Sequence, residues 1–198
     1  MKKILIVALA AAMAIGATAC GTKSSENANS QKTGTVETTV TVTEEDTTVA
    51  DTEVTLPSSV TVGNYIEGEN LKFTFEAAKQ YDEIQDPDNE LLKSTPSEGK
   101  KYLVLFFEVE NISSEEQNVN MFYQKAYLDD YDIDSTLLIV NPDGYGTLSG
   151  DLAVGKKLKG CVCYEVESDW QKLEFTYQDG ITSNSETFDF VVTPSDLT

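Results

Sequence analysis

Histidine and arginine are absent from the 198 residues, and all 14 basic side chains are lysine. Without histidine there is no imidazole to act as general base in a Ser-His-Asp arrangement and no His-ligated zinc. Without arginine there is no planar guanidinium to clamp phosphate or carboxylate through two hydrogen bonds. Positive charge is scarce altogether, with 14 lysines against 34 acidic residues and a net charge of −20. That balance excludes nucleic acid, whose binding needs clustered cations. It equally disfavours direct adsorption to anionic lipid. Divalent cations and basic surfaces are the partners such a field would attract.

Long apolar runs are nearly missing, and the one that exists is at the N-terminus. Lys2 and Lys3 precede an aliphatic stretch from Ile4 to Ile15, then the small residues Gly16-Ala17-Thr18-Ala19, then Cys20. As a helix, Ile4–Ala19 would be about 24 Å long, short of the roughly 30 Å hydrocarbon core. Residues 1–19 therefore read as a signal peptide. Ala17-Thr18-Ala19 fits the rule for ordinary secretion, and Ala17-Thr18-Ala19-Cys20 resembles a bacterial lipobox with Ala in place of the usual Leu. Both readings cut the Ala19–Cys20 bond, and a cysteine directly after the cut points to Cys20 as the lipid attachment site. Two or more acyl chains would hold the mature protein firmly to the membrane, on its extracytoplasmic face. Cleavage removes two lysines, leaving 12 against 34 acidic residues, a net charge of −22.

Residues 20–58 have no aromatic residue and only one leucine, Leu56. Valines alternate with threonines between Thr35 and Thr55, but Glu44-Glu45-Asp46 interrupts them and no large apolar side chain joins them. Such a stretch cannot bury enough surface to offset chain entropy, so it is expected to be a disordered tether. As a coil it would span on the order of 35 Å.

From 59 to 198 the apolar period is two. Val60-Thr61-Val62 with Tyr65-Ile66 predicts a short opening strand. Leu71, Phe73, Phe75 and Ala77 define one face of the next. Asp82–Lys100, with Pro87 and Pro96, reads as a long connection. Leu103, Leu105, Phe107 and Val109 form one face of the strongest strand, and Tyr102, Val104 and Phe106 make its other face apolar too, as in a central strand or one with a covered outer face. Strands also follow over Met121–Leu128, around Val162-Cys163-Tyr164, at Leu173-Phe175-Tyr177 and at Phe188-Phe190-Val192, with Asn141-Pro142-Asp143-Gly144 as a turn. No amphipathic helix of three turns is present. The expectation is an all-β fold: an immunoglobulin-like antiparallel β-sandwich of seven to eight strands.

Lys101–Asn111 resembles the central strand of a bacterial immunoglobulin-like family described as telokin-like and related to a mycobacterial immunoprotective extracellular protein. Leu152-Ala153-Val154-Gly155 followed by Gly160–Val166 resembles its second motif, and Leu173-Glu174-Phe175-Thr176-Tyr177 the strand after it. The resemblance covers about Val60 to Val192. Glu167 replaces a frequent Pro, and Asp129-Asp130-Tyr131-Asp132 replaces an Asp-Gly turn. The resemblance implies secretion, frequent lipid anchoring and no established enzymatic activity. It supplies no catalytic residues.

Asp129, Asp130, Asp132 and Asp134 invite a calcium reading, with Asp143 or Asp151 as convergent partners. Counted from Asp130, however, the glycine and glutamate positions of a calcium loop hold Ser135 and Asn141, so a solvated acidic hairpin is the expectation. Cys161 and Cys163, two apart on one strand, lie about 6.6 Å apart, a poor disulfide spacing, and read as half-buried thiols. Tyr102, Val104 and Phe106 form either an exposed docking patch or a layer under a loop, for which Asp82–Lys100 is the candidate. Trp170 caps the core or offers a ligand platform. Asn111-Ile112-Ser113 formally fits a glycosylation triplet, a reading that the bacterial lipobox weakens. Glu108 and Glu110 are a carboxylate pair of the type glycosidases use, but alternate with core positions as a solvent face does.

The sum is a lipid-anchored surface protein presenting a non-catalytic binding domain to a protein or glycan, with no cofactor and no metal. The alternative is a cation-binding or structural envelope lipoprotein using its acidic surface. Mass spectrometry of the membrane-extracted protein is expected to begin at a diacylglyceryl-modified Cys20, and a Cys20→Ser variant to be released without detergent. An unmodified Cys20 on a shed protein would contradict the anchor.

Overall fold

A computed structural model describes residues 32–35, 59–180 and 185–198; the signal peptide, Cys20 and all of the tether except 32–35 lie outside these. Alternation of large apolar and polar side chains produces two sheets. The first has β1 (Lys32–Thr35), β2 (Asn64–Glu67), β3 (Leu71–Tyr81), β6 (Lys101–Asn111), β12 (Lys157–Val166) and β10 (Gly146–Thr147), paired in that spatial order. The second has β14 (Thr187–Val192), β13 (Leu173–Gln178), β8 (Gln124–Leu128) and β9 (Tyr131–Asp132). Within the two sheets every pairing is antiparallel except β10 with β12. Two small two-stranded sheets complete the strands, β4 (Ile84–Gln85) with β5 (Lys93–Ser94) and β7 (Gln117–Val119) with β11 (Gly150–Leu152). The architecture is an all-β sandwich.

The sheets meet through aromatic rings. Phe73 lies 4.8 Å, centroid to centroid, from both Tyr177 and Phe188. Phe107 lies 5.4 Å from Phe175 and 5.0 Å from Phe190, and stacks on Phe75 at 4.9 Å. All of these rings are buried. Each contributes roughly 1.5–3 kcal/mol through burial, plus about 0.5–1.5 kcal/mol per well-placed aromatic pair.

The expected alternation of β3 changes phase at Glu76. A bulge between Phe75 and Ala77 shifts its register on β6. Ala78, not Ala77, then enters the core, while Ala77 turns to the outer face. One extra residue exchanges the two faces of a strand, so the predicted Leu71-Phe73-Phe75-Ala77 face ends one position early. The opening strand is also displaced: Val60 forms a parallel bridge to Phe190 on the edge of the second sheet, and β2 begins at Asn64. Lys32–Thr35, in the stretch expected to be a tether, pairs with β2.

The outer face of the first sheet is split. Tyr102, Val104, Phe106, Cys161 and Cys163 form a second buried layer. Its cover comes from two segments. Ile84 belongs to the expected Asp82–Lys100 connection, whereas Leu138, Val140 and Tyr145 come from the chain after β9. Tyr145 meets Phe106 edge-on at 4.8 Å, and the Ile139 N–H donates to Ser94 Oγ at 2.9 Å, joining the two segments. Further along, the same face is charged. Lys157 pairs with Glu108 at 2.7 Å and Glu110 at 3.3 Å, and Lys159 with Glu76 at 2.7 Å. Exposed pairs of this kind contribute at most about 1 kcal/mol each, so the covered layer stabilises this face more than the ladder does.

Phe106→Ala is therefore expected to cost about 3–5 kcal/mol in chemical denaturation, as for an interior ring. A loss below about 0.5 kcal/mol, the size of a surface effect, would show that the outer layer is not a core.

Candidate functional site

β8 and β9 are joined by Asp129 and Asp130, both in the left-handed region (φ 49° and 70°). Aspartate tolerates that conformation where most side chains resist it, and two such residues make the tight turn a twisted hairpin needs. The Asp129 carboxylate accepts the backbone N–H groups of Gln171 (3.0 Å) and Lys172 (2.8 Å), and the Asp129 N–H donates to the Lys172 carbonyl at 2.9 Å. Lys172 reaches Asp130 at 3.3 Å and Glu174 at 3.2 Å. The acidic hairpin is thus fastened to the loop before β13, which carries Trp170.

A cleft opens on each side of this hairpin. The first, about 320 Å³, has Leu128, Ile133 and Trp170 along its walls and Tyr131 at its lip. Asp129, Asp132, Glu165, Glu167 and Asp169 surround it, with Lys100 the one basic residue. The second, about 360 Å³, is bordered by Met121, Phe122, Ala126, Ile133 and Tyr164, with Asp132 and Asp134 on the hairpin side. Tyr164 donates to Gln124 Oε1 (3.1 Å), whose amide donates to Ser135 Oγ (2.9 Å), fixing that wall. Tyr131 is 79% exposed and Phe122 78%. Rings of that size standing in solvent beside a concave surface are a feature of contact sites. The sequence reading singled out neither residue.

The remaining candidates disperse. Asp143 does not join the hairpin: it pairs with Lys79 at 2.8 Å and accepts the Tyr81 hydroxyl at 3.1 Å. The Lys79 hydrogen bond, with a smaller contribution from Tyr81, holds its carboxyl below the usual range. Asp151 accepts Asn118 Nδ2 at 2.7 Å. Among the described residues, no three acidic or thiol side chains converge on a metal-sized point. Trp170 is buried in the main core, as a cap beneath the first cleft. Asn111 is buried too, its amide donating to the carbonyls of Glu115 (2.7 Å) and Leu152 (2.8 Å) while its Oδ1 accepts from Ser113. It ties the end of β6 to β11.

Two sheets packed face to face and filled by alternate side chains define a β-sandwich module. Within that class the chain belongs to the DUF4352 family, a domain of unknown function, whose match runs from residue 29 to residue 187. No curated protein matches the chain. Among solved structures it is similar to ycdA of Bacillus subtilis, a putative lipoprotein, with a TM-score of 0.52 and 12% identity over 67% of this chain and 39% of that one. It is also similar to yjhA of Bacillus subtilis, with a TM-score of 0.50 and 17% identity over 66% of this chain and 97% of that one. An uncharacterized β-sandwich protein of Clostridium difficile gives a TM-score of 0.45 at 11% identity, over 75% of this chain and all of that one. The chain spans well under half the length of ycdA. At such identities the likeness concerns the fold and carries no activity with it.

Cys161 and Cys163 are both free and fully buried, rather than half-buried, because Leu138, Val140 and Tyr145 close over them. Burial, reinforced by Asp143, pushes the Cys161 thiol up to about 12, and burial also raises Cys163. An unfolded thiol ionises near pH 9. Stability is therefore undiminished by these groups below that pH, falls as pH rises above it, and the loss from Cys161 levels off at about 12. At pH 8 both thiols are expected to resist a disulfide reagent in the folded protein and to react completely in guanidinium, since the thiolate is the nucleophile. Rapid labelling without denaturant would contradict the covered layer.

Proposed function

We propose that the chain is a lipid-anchored extracytoplasmic protein whose sandwich, telokin-like and immunoglobulin-like in its relationships, acts as a non-catalytic binding domain. The sheet edge formed by the β8–β9 hairpin is its binding face. The observation that carries this reading is the pair of open clefts flanking one hairpin, with Tyr131 and Phe122 exposed at their lips. Five carboxylates and one lysine around the first cleft favour a partner segment that brings lysine or arginine together with apolar side chains. A polypeptide fits that description better than a glycan. The anchor is supported by Ala17-Thr18-Ala19-Cys20 and by the likeness to a protein named as a putative lipoprotein. Glu108 and Glu110 share Lys157 on the charged part of the outer face, an arrangement that suits a solvated surface rather than a reacting pair. Asp129 is engaged by two backbone N–H groups and Asp130 by Lys172, so no observation favours the calcium alternative.

Titration calorimetry of the full chain with a short lysine- and arginine-rich peptide containing leucine tests the reading. Tyr131→Ala is expected to weaken binding about tenfold, equivalent to about 1.4 kcal/mol. Asp132→Asn is expected to weaken it several-fold, whereas Asp88→Asn, which removes the same charge from the exposed β4–β5 loop, changes it less than twofold. Equal effects of the two aspartate changes, with none from Tyr131→Ala, would reduce the interaction to diffuse attraction and contradict the site.

A further inference from the structure

β1 is unlike the long strands of its sheet. Its described side chains, those of Lys32 and Thr33, belong to neither hydrophobic cluster. Among the described residues it is the outermost strand of the first sheet and pairs with β2 alone, in the register Lys32↔Glu67, Thr33↔Ile66, Gly34↔Tyr65 and Thr35↔Asn64. In sequence, 23 residues separate it from Ser59. The free energy a four-residue ladder returns is comparable to the entropy lost in ordering four residues. Occupancy of this edge is thus set by its fit, not by core burial.

The fit has a specific element. A Cβ built on Gly34 would overlap the ring of Tyr65, so the aromatic side chain lies across the bare backbone of the opposing strand. The Lys72 ammonium sits 4.0 Å from the centroid of the same ring. A ring laid over a cross-strand glycine is a recognised way of pinning register at a sheet edge. Gly34 is the only glycine between residues 22 and 62. No other position in that stretch can lie under Tyr65 without displacing it. The family match likewise begins at residue 29, ahead of this strand.

We propose that the edge of β2 is a strand-acceptor site, selective for a glycine opposite Tyr65, which takes Lys32–Thr35 reversibly and so sets the length of chain between Cys20 and the domain. Main-chain hydrogen bonds supply the attraction and the Gly34–Tyr65 contact the selectivity, as in β-strand addition generally. With the site filled, 12 residues lead from Cys20 to the first strand, at most about 40 Å of chain. With it empty, 39 residues lead to Ser59, at most about 130 Å. The strand site stands on the geometry alone; its effect on reach rests on the lipid-anchor reading above.

Limited trypsin digestion of the full lipidated chain in vesicles tests the site, because Lys32 lies in β1 and Lys23 precedes it. In the native protein, cleavage after Lys32 is expected to be slow but measurable. In Gly34→Val it should rise at least tenfold, with cleavage after Lys23 and the midpoint of thermal unfolding unchanged. Equal rates after Lys32 in the two proteins would overturn the acceptor site, and complete resistance in the native chain would overturn its reversibility. Energy transfer from Trp170, the single tryptophan, to a dansyl lipid in the same vesicles reads the reach. It should fall in Gly34→Val. Unchanged transfer despite faster cleavage would overturn the effect on reach. Failure of both proteins to remain with the vesicles would overturn the anchor while leaving the proteolytic result to decide the strand site.

Discussion

Phe107 is the side chain on which the two sheets converge. It lies on the strand at the centre of the first sheet, stacks on Phe75 beside it, and meets Phe175 and Phe190 of the second sheet. Its position fixes the facing of its whole strand. If Phe107 points inward, Leu103, Leu105 and Val109 do so too, and Tyr102, Val104 and Phe106 must point out. Three large apolar residues on the outer face then require a cover, which the chain supplies from two segments after β3 and after β9. The covered layer, the buried thiols and the ladder of charges beyond Phe106 all follow from that one inward ring.

The sandwich was legible in the sequence because period-two alternation is strong where strands are long. Lys101–Asn111, Leu173–Gln178 and Thr187–Val192 read correctly to within a few residues. What escaped is local. The bulge at Glu76 has no composition signal, since any residue can be the extra one, and its only trace is the adjacent Ala77-Ala78 pair. Leu137-Leu138-Ile139-Val140 is apolar throughout, so alternation could not reveal that Leu138 and Val140 cover the sheet while Leu137 and Ile139 face solvent. β1 escaped because backbone pairing needs no large side chain. The one clue was a lone glycine among threonines and valines.

The candidate site was half legible. The aspartate cluster and its incomplete calcium pattern pointed to a solvated acidic hairpin. That Asp129 caps the loop before β13 was not legible, because its partners lie some forty residues away in sequence. The clefts on either side are products of tertiary packing between segments distant in sequence, from Lys100 to Trp170. Trp170, expected to cap the core, is buried there, and the exposed aromatics beside the clefts are Tyr131 and Phe122. A single aromatic in a loop carries no sign of which side it faces until the loop is fastened.

β6, buried on both faces over Tyr102–Phe107, is the strand that the whole molecule must unfold to expose. Native-state amide hydrogen exchange measures this directly. The amides of Leu103–Phe107 are expected to exchange only through global unfolding, with an opening free energy equal to that from denaturant titration, while those of β9 and β1 exchange through far smaller openings. Exchange of Leu103–Phe107 as fast as that of β9 would contradict the doubly covered central strand.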